Sequence, residues 1–257
     1  MESGNVVAEP VAPRALSSSH APSRPLRLLV GYDGRPASRD ALTLAKALAA
    51  TGDADLTVAS VRGYWPELLG ESYPLVVKED EHWARRGATK VLGDTPFSVR
   101  ILAGGHETAG LRELAEADEA DIVVVGSTHR GRIGRVCPGS VGERLLSDTP
   151  CPLAVAPRGL ADRRFSLETI AVASDESEEA EAARRTATEL AERSGASLRT
   201  LSLADSDRLI AEAATGVDLL VIGSRRRHGL ASRLLLDGPA LRLTRTAPCP
   251  ILIVPTP

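Results

Sequence analysis

Cysteine is scarce. Only Cys137, Cys151 and Cys249 occur in 257 residues, an odd number at wide spacing that makes neither a disulfide framework nor a Cys-x-x-Cys metal or redox pair. A reducing, cytoplasmic setting is the expectation. A run of about 18 apolar residues, the length a membrane-spanning helix needs, is also missing. Net charge is small, at -3 with a pI near 6.0, so there is no bulk attraction to nucleic acid or to an anionic membrane, and neither is an expected partner. Residues 1–25 carry no basic n-region and no apolar h-region, so they do not read as a secretory signal. Their mixture of Pro, Ser, Ala and Val reads as a disordered tail.

Hydrophobic residues make up 43% and charged residues 25%, enough for a packed core without metals or disulfides. The length suits two domains of ordinary size. Two stretches of the chain read alike. The first begins with Leu28-Leu29-Val30, breaks at Gly31-Tyr32-Asp33-Gly34 and enters a helical pattern from Ser38, with a strand from Asp53 to Val61 after it. Strands follow at Ser98–Ala103, Asp121–Val125 and Leu153–Ala156, with helices predicted between them from His106 and from Ser140. Unbroken apolar runs such as Ile122-Val123-Val124-Val125 suit strands covered on both faces, which in an alternating βα pattern means a parallel sheet.

The second stretch opens with Ile170-Ala171-Val172-Ala173, turns at Ser174-Asp175 and runs into a helix from Glu178. Its Asp218-Leu219-Leu220-Val221-Ile222-Gly223-Ser224 echoes Asp121-Ile122-Val123-Val124-Val125-Gly126-Ser127, and its Pro248-Cys249-Pro250 echoes Pro150-Cys151-Pro152. Asp33 maps onto Asp175 with an offset of 142, whereas Gly126 maps onto Gly223 with an offset of 97, so the second copy is shorter by 142 − 97 = 45 residues. The missing part corresponds to a helix and the strand Ser98–Ala103. The expected organisation is therefore a tail (1–25), a first unit (26–158) and a shortened second unit (159–257), both α/β with open parallel sheets.

In such sheets ligands sit beyond the carboxyl ends of the strands where strand order reverses, and an adjacent helix start offers free N–H groups to an anion. The segment from Gly126 to Ser140 leaves a strand, carries glycines and arginines, and enters a helix. A triphosphate is a guest this chemistry suits.

At these residues the chain resembles the universal stress protein family, whose ATP-binding members carry Gly-x2-Gly-x9-Gly-(Ser/Thr). Here the pattern reads Gly126-x2-His129-x9-Gly139-Ser140, with His129 in place of the second glycine. The resemblance extends over nearly everything after the tail, including the Asp33 turn and the Pro-Cys-Pro segments, and implies a tandem of Rossmann-like units of the adenine nucleotide alpha hydrolase-like type. It implies that Asp33 accepts hydrogen bonds from adenosine and that Val61 touches adenine. Gly126 would admit the ribose and phosphates, and Gly139, Ser140 and Val141 would cradle the phosphates, with Ser127, His129 and Arg130 beside them. ATP, ADP or AMP is the implied cofactor, with magnesium as its accompanying ion. In the second copy Arg226 takes the place of the middle glycine, and Asp237 and Gly238 fall at the Gly-Ser positions, so that unit is expected to be empty because an acid there repels phosphate.

Plainer readings stand beside these. Asp33 suits a tight turn or a helix cap, the arginine-rich loops suit solvated surface, and Cys151 and Cys249 suit buried small hydrophobes. Cys137, in the loop, is the one cysteine placed for redox chemistry. His82, His106 and His129 show no metal-ligand spacing. Trp65, Tyr73 and Trp83 are expected to cover the core. The leading function is an adenine-nucleotide-binding stress-response regulator that is not an enzyme, with slow hydrolysis or autophosphorylation left open by the resemblance. The alternative is a structural or interaction protein that binds no nucleotide. The resemblance also implies that Leu153–Ala156 and Ile251–Val254 pair within the chain as a pseudo-dimer, with whole-chain homodimerisation as a further assembly.

Overall fold

The computed structural model describes residues 24–104, 106–128, 133–138, 140–225, 243 and 246–256. Strand β1 (Leu26–Gly31) leads into helix α1 (Pro36–Ala49), which has proline in its first turn, where a missing N–H costs nothing. β2 (Ala54–Arg62) is followed by a short helix α2 (Pro66–Leu69) and the long α3 (Tyr73–Leu92). Then come β3 (Ser98–Ala103), α4 (Glu107–Ala117), β4 (Ile122–Gly126), α5 (Ser140–Asp148) and β5 (Leu153–Ala156). The second half runs β6 (Thr169–Ser174), α6 (Glu178–Ser194), β7 (Ser197–Ser202), α7 (Ser206–Ala213), β8 (Leu219–Arg225) and β9 (Ile251–Thr256).

The nine described strands form one sheet in the order β3-β2-β1-β4-β5-β9-β8-β6-β7. Every neighbouring pair is parallel except β5 and β9, which run antiparallel with Leu153 opposite Ile253 and Ala154 opposite Leu252. On either side of that seam the order β2-β1-β4-β5 answers β7-β6-β8-β9. Among the described residues the second half has no counterpart of α3 and β3, in keeping with the 45-residue difference in offset.

The period-2 alternation of the strands sorts their side chains into two cores. Leu28, Val30, Ile122, Val124, Val172 and Leu252 pack on one face with α1, α3 and α6. Leu29, Val123, Val125, Val155, Leu220 and Ile253 pack on the other with Leu111, Leu145 and Leu209. Each core spans both halves.

Local chemistry repeats with the duplication. Asp121 accepts the Arg27 backbone N–H at 2.9 Å, and Asp218 accepts those of Glu168 and Thr169 at 3.0 and 2.8 Å, so each carboxylate fastens the start of its unit's first strand. Cys151 and Cys249 are buried, and burial pushes the Cys249 thiol up to about 12. Trp65 departs from expectation, being 56% exposed at the start of α2 instead of covering the core. Trp83 does pack on the core, with its ring 5.2 Å from that of Tyr32 and beneath the Arg62 guanidinium at 4.2 Å. Among the described residues no helix is long and apolar enough to cross a membrane.

Candidate functional site

Strand order reverses between β1 and β4, and a cavity of about 580 Å³ opens there beyond the ends of β1, β2 and β4. Ala59 and Val61 of β2, Leu111 of α4, Val125 of β4 and Val141 of α5 give it an apolar lining. Asp33, Arg35, Arg39, Asp40, Glu107 and Arg158 supply charge around it. The volume lies within the usual range for a small-molecule site, as does the mixture of an apolar lining with a few polar groups.

The Asp33 turn is built by its own carboxylate. Oδ1 accepts the Arg35 N–H at 2.9 Å, and Oδ2 lies 3.7 Å from Arg35 Nε, leaving the half-exposed carboxylate capacity for further donors. Next to it Gly34 has φ +79°, and the Trp83 ring lies so close that a Cβ at Gly34 would come within 2.6 Å of it. Helix α3 therefore underpins the turn. Burial, with the Asp33 charge adding to it, raises the Tyr32 phenol above its ordinary value.

The second half keeps only part of this arrangement. Asp175 accepts the Ser177 N–H at 3.0 Å and also the Ser177 hydroxyl, and Ser177 in turn caps α6 by accepting the Ala180 N–H at 3.2 Å. Glu176 stands where Gly34 stood. Glu119 is the one described non-glycine residue with positive φ, so the second turn does not copy the first, and no α3 lies beneath it.

Gly126 and Ser127 have structural work that the sequence did not disclose. A Cβ on Gly126 would come within 1.9 Å of the Ala37 carbonyl oxygen, and one on Gly223 within 2.0 Å of the Glu179 carbonyl oxygen. Gly126 thus lets the start of α1, and Gly223 the start of α6, lie close over the neighbouring strand of the sheet. That requirement exists without a ligand and differs from the ribose and phosphate approach expected of Gly126. The buried Ser127 hydroxyl donates to the Ala156 carbonyl at 2.7 Å and accepts the Cys137 N–H at 3.0 Å. With the Thr128 N–H donating to the Cys137 carbonyl at 2.8 Å and a bridge from Ser127 to Pro138, the two ends of the loop are clamped together.

The structure brings Asp33, Val61, Gly126, Ser127 and Val141 around one cavity. His129, Arg130 and Gly139 lie outside the described residues, as do Arg226, Asp237 and Gly238 of the second copy. Ser140 opens α5, its side chain likewise outside what is described. The principal residue missed from sequence is Asp40. It sits on the buried face of α1 with only 3% of its surface exposed, and its carboxylate accepts the Gly159 N–H at 2.9 Å and the Ala161 N–H at 2.8 Å. Burial raises this carboxyl above its ordinary range although both N–H donors pull the other way. An acid among Ser38, Ala41, Leu42 and Ala45 was the available signal. Among the described residues no group of three or more His, Cys, Asp or Glu side chains comes together as a metal site.

Comparison with known proteins gives this geometry its relatives. A universal stress protein of Mycobacterium tuberculosis is 34% identical over 145 residues, covering 52% of this chain and 49% of that protein, so the chain spans about half the length of that relative. A universal stress protein of Mycolicibacterium smegmatis is 30% identical over 139 residues, covering 51% of this chain and 98% of its own. The crystal structure of a universal stress protein from Archaeoglobus fulgidus superposes over 91% of this chain and 100% of its own, with a TM-score of 0.68 at 13% identity, which supports the fold. The model of the Universal stress protein family matches residues 26–157 and 205–255, well over half of the chain, and the protein belongs to that family.

Proposed function

We propose that the protein is an adenine-nucleotide-binding regulator whose working site is the cavity of the first half. The observation that carries this reading is the cavity at the β1/β4 switch point. Its apolar lining suits a purine ring, Asp33 at its edge suits the hydroxyl and amino donors of adenosine, and Arg35, Arg39 and Arg158 suit phosphate. ATP, ADP and AMP all present that chemistry, with magnesium accompanying the polyphosphates. Binding that changes conformation or partner choice, without turnover, is the role proposed. Three free cysteines favour a reducing cytoplasm.

We read residues 26–158 and 159–257 as the two units, joined as a pseudo-dimer through the antiparallel β5–β9 pairing, with a homodimer of whole chains as a further assembly. The second unit is proposed to be empty. Loss of α3 and β3 and replacement of Gly34 by Glu176 support this.

The test is direct. Purified protein is denatured and the supernatant analysed for released nucleotide, and binding of ATP, ADP and AMP is measured by calorimetry. The expected result is one site per chain, with Asp33→Ala weakening it at least about tenfold, the cost of one lost charge-assisted hydrogen bond. No released nucleotide, no heat of binding and no effect of Asp33→Ala would leave the second reading, an interaction protein without nucleotide. That reading is favoured by one observation, that Asp33 and Asp175 both close a turn with their own backbone.

A further inference from the structure

The segment that joins the two halves is part of the first-half site. After β5 the chain passes Pro157 and runs along the cavity, contributing Arg158, Gly159, Ala161 and Asp162 to its lining. Two things hold it there. On one side the Asp40 carboxylate, buried in α1, accepts the N–H groups of Gly159 and Ala161, and Leu160 between them is buried. On the other side the returning motif loop pairs with it, the Gly134 N–H donating to the Arg158 carbonyl at 2.8 Å and the Arg158 N–H to the Arg135 carbonyl at 3.3 Å. A Cβ on Gly159 would lie 3.3 Å from the Ile133 side chain, which itself lines the cavity while 75% exposed.

The loop is held from the second half as well. Arg135 Nη1 donates to the Thr246 carbonyl at 2.7 Å, and the Val136 N–H donates to the Ala247 carbonyl at 2.9 Å. Residues 133–136 are therefore fixed between the joining segment and the chain that leads into β9. The bonds from Asp40 fasten this assembly to α1, the helix whose start borders the cavity, and the buried Leu160 packs in the same core as α1.

We propose that Asp40 is a positioning residue of the nucleotide site: by latching the joining segment it sets the outer wall of the cavity, made of Arg158, Gly159, Ala161 and Asp162 with Ile133 of the loop paired to that segment. A buried carboxylate with two backbone donors fixes two residues of the segment on either side of the buried Leu160, and a wall that is formed only part of the time weakens binding in proportion to the fraction formed. This inference rests on the nucleotide reading above. It adds that the wall is supplied by a segment beyond the first unit's last strand, and that occupancy of the site bears mechanically on residues 246 and 247 of the second half.

The experiment uses the full chain and compares wild type with Asp40→Asn, which keeps size and polarity but replaces one of the two accepting oxygens with an NH2 that faces a backbone donor. Ile133→Ala, at an exposed position where folding is not at stake, tests the same wall separately. Leu190→Ala, in the α6 core, controls for stability loss alone. ATP and AMP affinities are measured by calorimetry, and amide exchange is followed at Gly159 and Ala161. Asp40→Asn is expected to bind about tenfold more weakly, as for a wall formed about a tenth of the time, and to exchange at Gly159 and Ala161 about tenfold faster. Ile133→Ala should also weaken binding, while Leu190→Ala should lower the melting temperature without changing affinity. Wild-type affinity in Asp40→Asn, unchanged exchange at Gly159 and Ala161, or an equal loss in Leu190→Ala would overturn the proposal while leaving the nucleotide reading intact. Absence of binding by the wild type would overturn both.

Discussion

Adding one methyl group at Gly126 asks whether that glycine serves the fold or a ligand. The new Cβ would sit 1.9 Å from the Ala37 carbonyl oxygen, 2.5 Å from its carbon and 2.9 Å from Ala37 Cα. These are backbone atoms, so no rotamer change relieves the contact. To reach the 3.4 Å at which ordinary contact begins, the start of α1 would have to move by about 1.5 Å. Overpacking of this kind costs about 1–3 kcal/mol or more, which for a chain of this size lowers the melting temperature by about 3–10 °C. Gly223→Ala meets the same obstacle at the Glu179 carbonyl, 2.0 Å away, and should cost a similar amount. Gly63→Ala, with nothing within 4 Å of its added Cβ, should change stability by less than about 0.5 kcal/mol. Scanning calorimetry of the three variants without nucleotide decides the matter. If Gly126→Ala melts with the wild type, or if Gly223→Ala is neutral while Gly126→Ala is not, the packing account fails.

Other expectations concern reactivity, fluorescence and pH. Alkylation of the native protein at about pH 8 should label Cys137 and leave Cys249 intact, because Cys249 is buried with its thiol held near 12; peptide mapping that finds Cys249 modified in folded protein would contradict this. Since Trp83 lies against Gly34 beside Asp33 while Trp65 is exposed, ATP should change intrinsic fluorescence in wild type and Trp65→Phe but not in Trp83→Phe; a signal that follows Trp65 instead would refute this. Burial raises Asp40 above the usual carboxyl range, so the native state takes up this proton before the unfolded chain does. The ionised carboxylate thus penalises the fold above its folded pKa, and the penalty disappears as pH falls through it. The melting temperature of wild type relative to Asp40→Asn should accordingly rise on mild acidification, and a flat or opposite trend in calorimetry would overturn the assignment.

The strands were legible because each carries a local signal. Ser98–Ala103 and Leu153–Ala156 are bounded by turn residues, and the offset arithmetic between Asp33, Asp175, Gly126 and Gly223 located the missing β3 and α3 without any structure. Helix α3 itself gave little signal. Its buried positions are Ala84, Ala88 and Leu92, a stripe of small residues in an otherwise charged sequence. Around the site, Asp33, Val61 and Val141 come from the family resemblance, and all three line the cavity. Asp40 was not legible, because the two N–H groups that explain it lie 119 and 121 residues further along the chain. The partners of the Ser127 hydroxyl are hidden for a related reason, since the Ala156 carbonyl lies 29 residues further along the chain. Propensity and period report on neighbours in sequence, whereas hydrogen-bond satisfaction of buried polar groups is settled by the tertiary fold.

The antiparallel seam between β5 and β9 has a consequence for how the two halves can change. When two identical subunits meet along such strands, one gene supplies both sides, and every substitution appears twice around the two-fold axis. Joined in one chain, the strands meet at a fixed local concentration, whatever the amount of protein in the cell. The two sides are then free to differ. Ile253, Leu252 and Ile251 can keep pairing with Leu153, Ala154 and Val155 while the residues around Asp175 drift, because the seam and the Asp175 turn belong to separate segments.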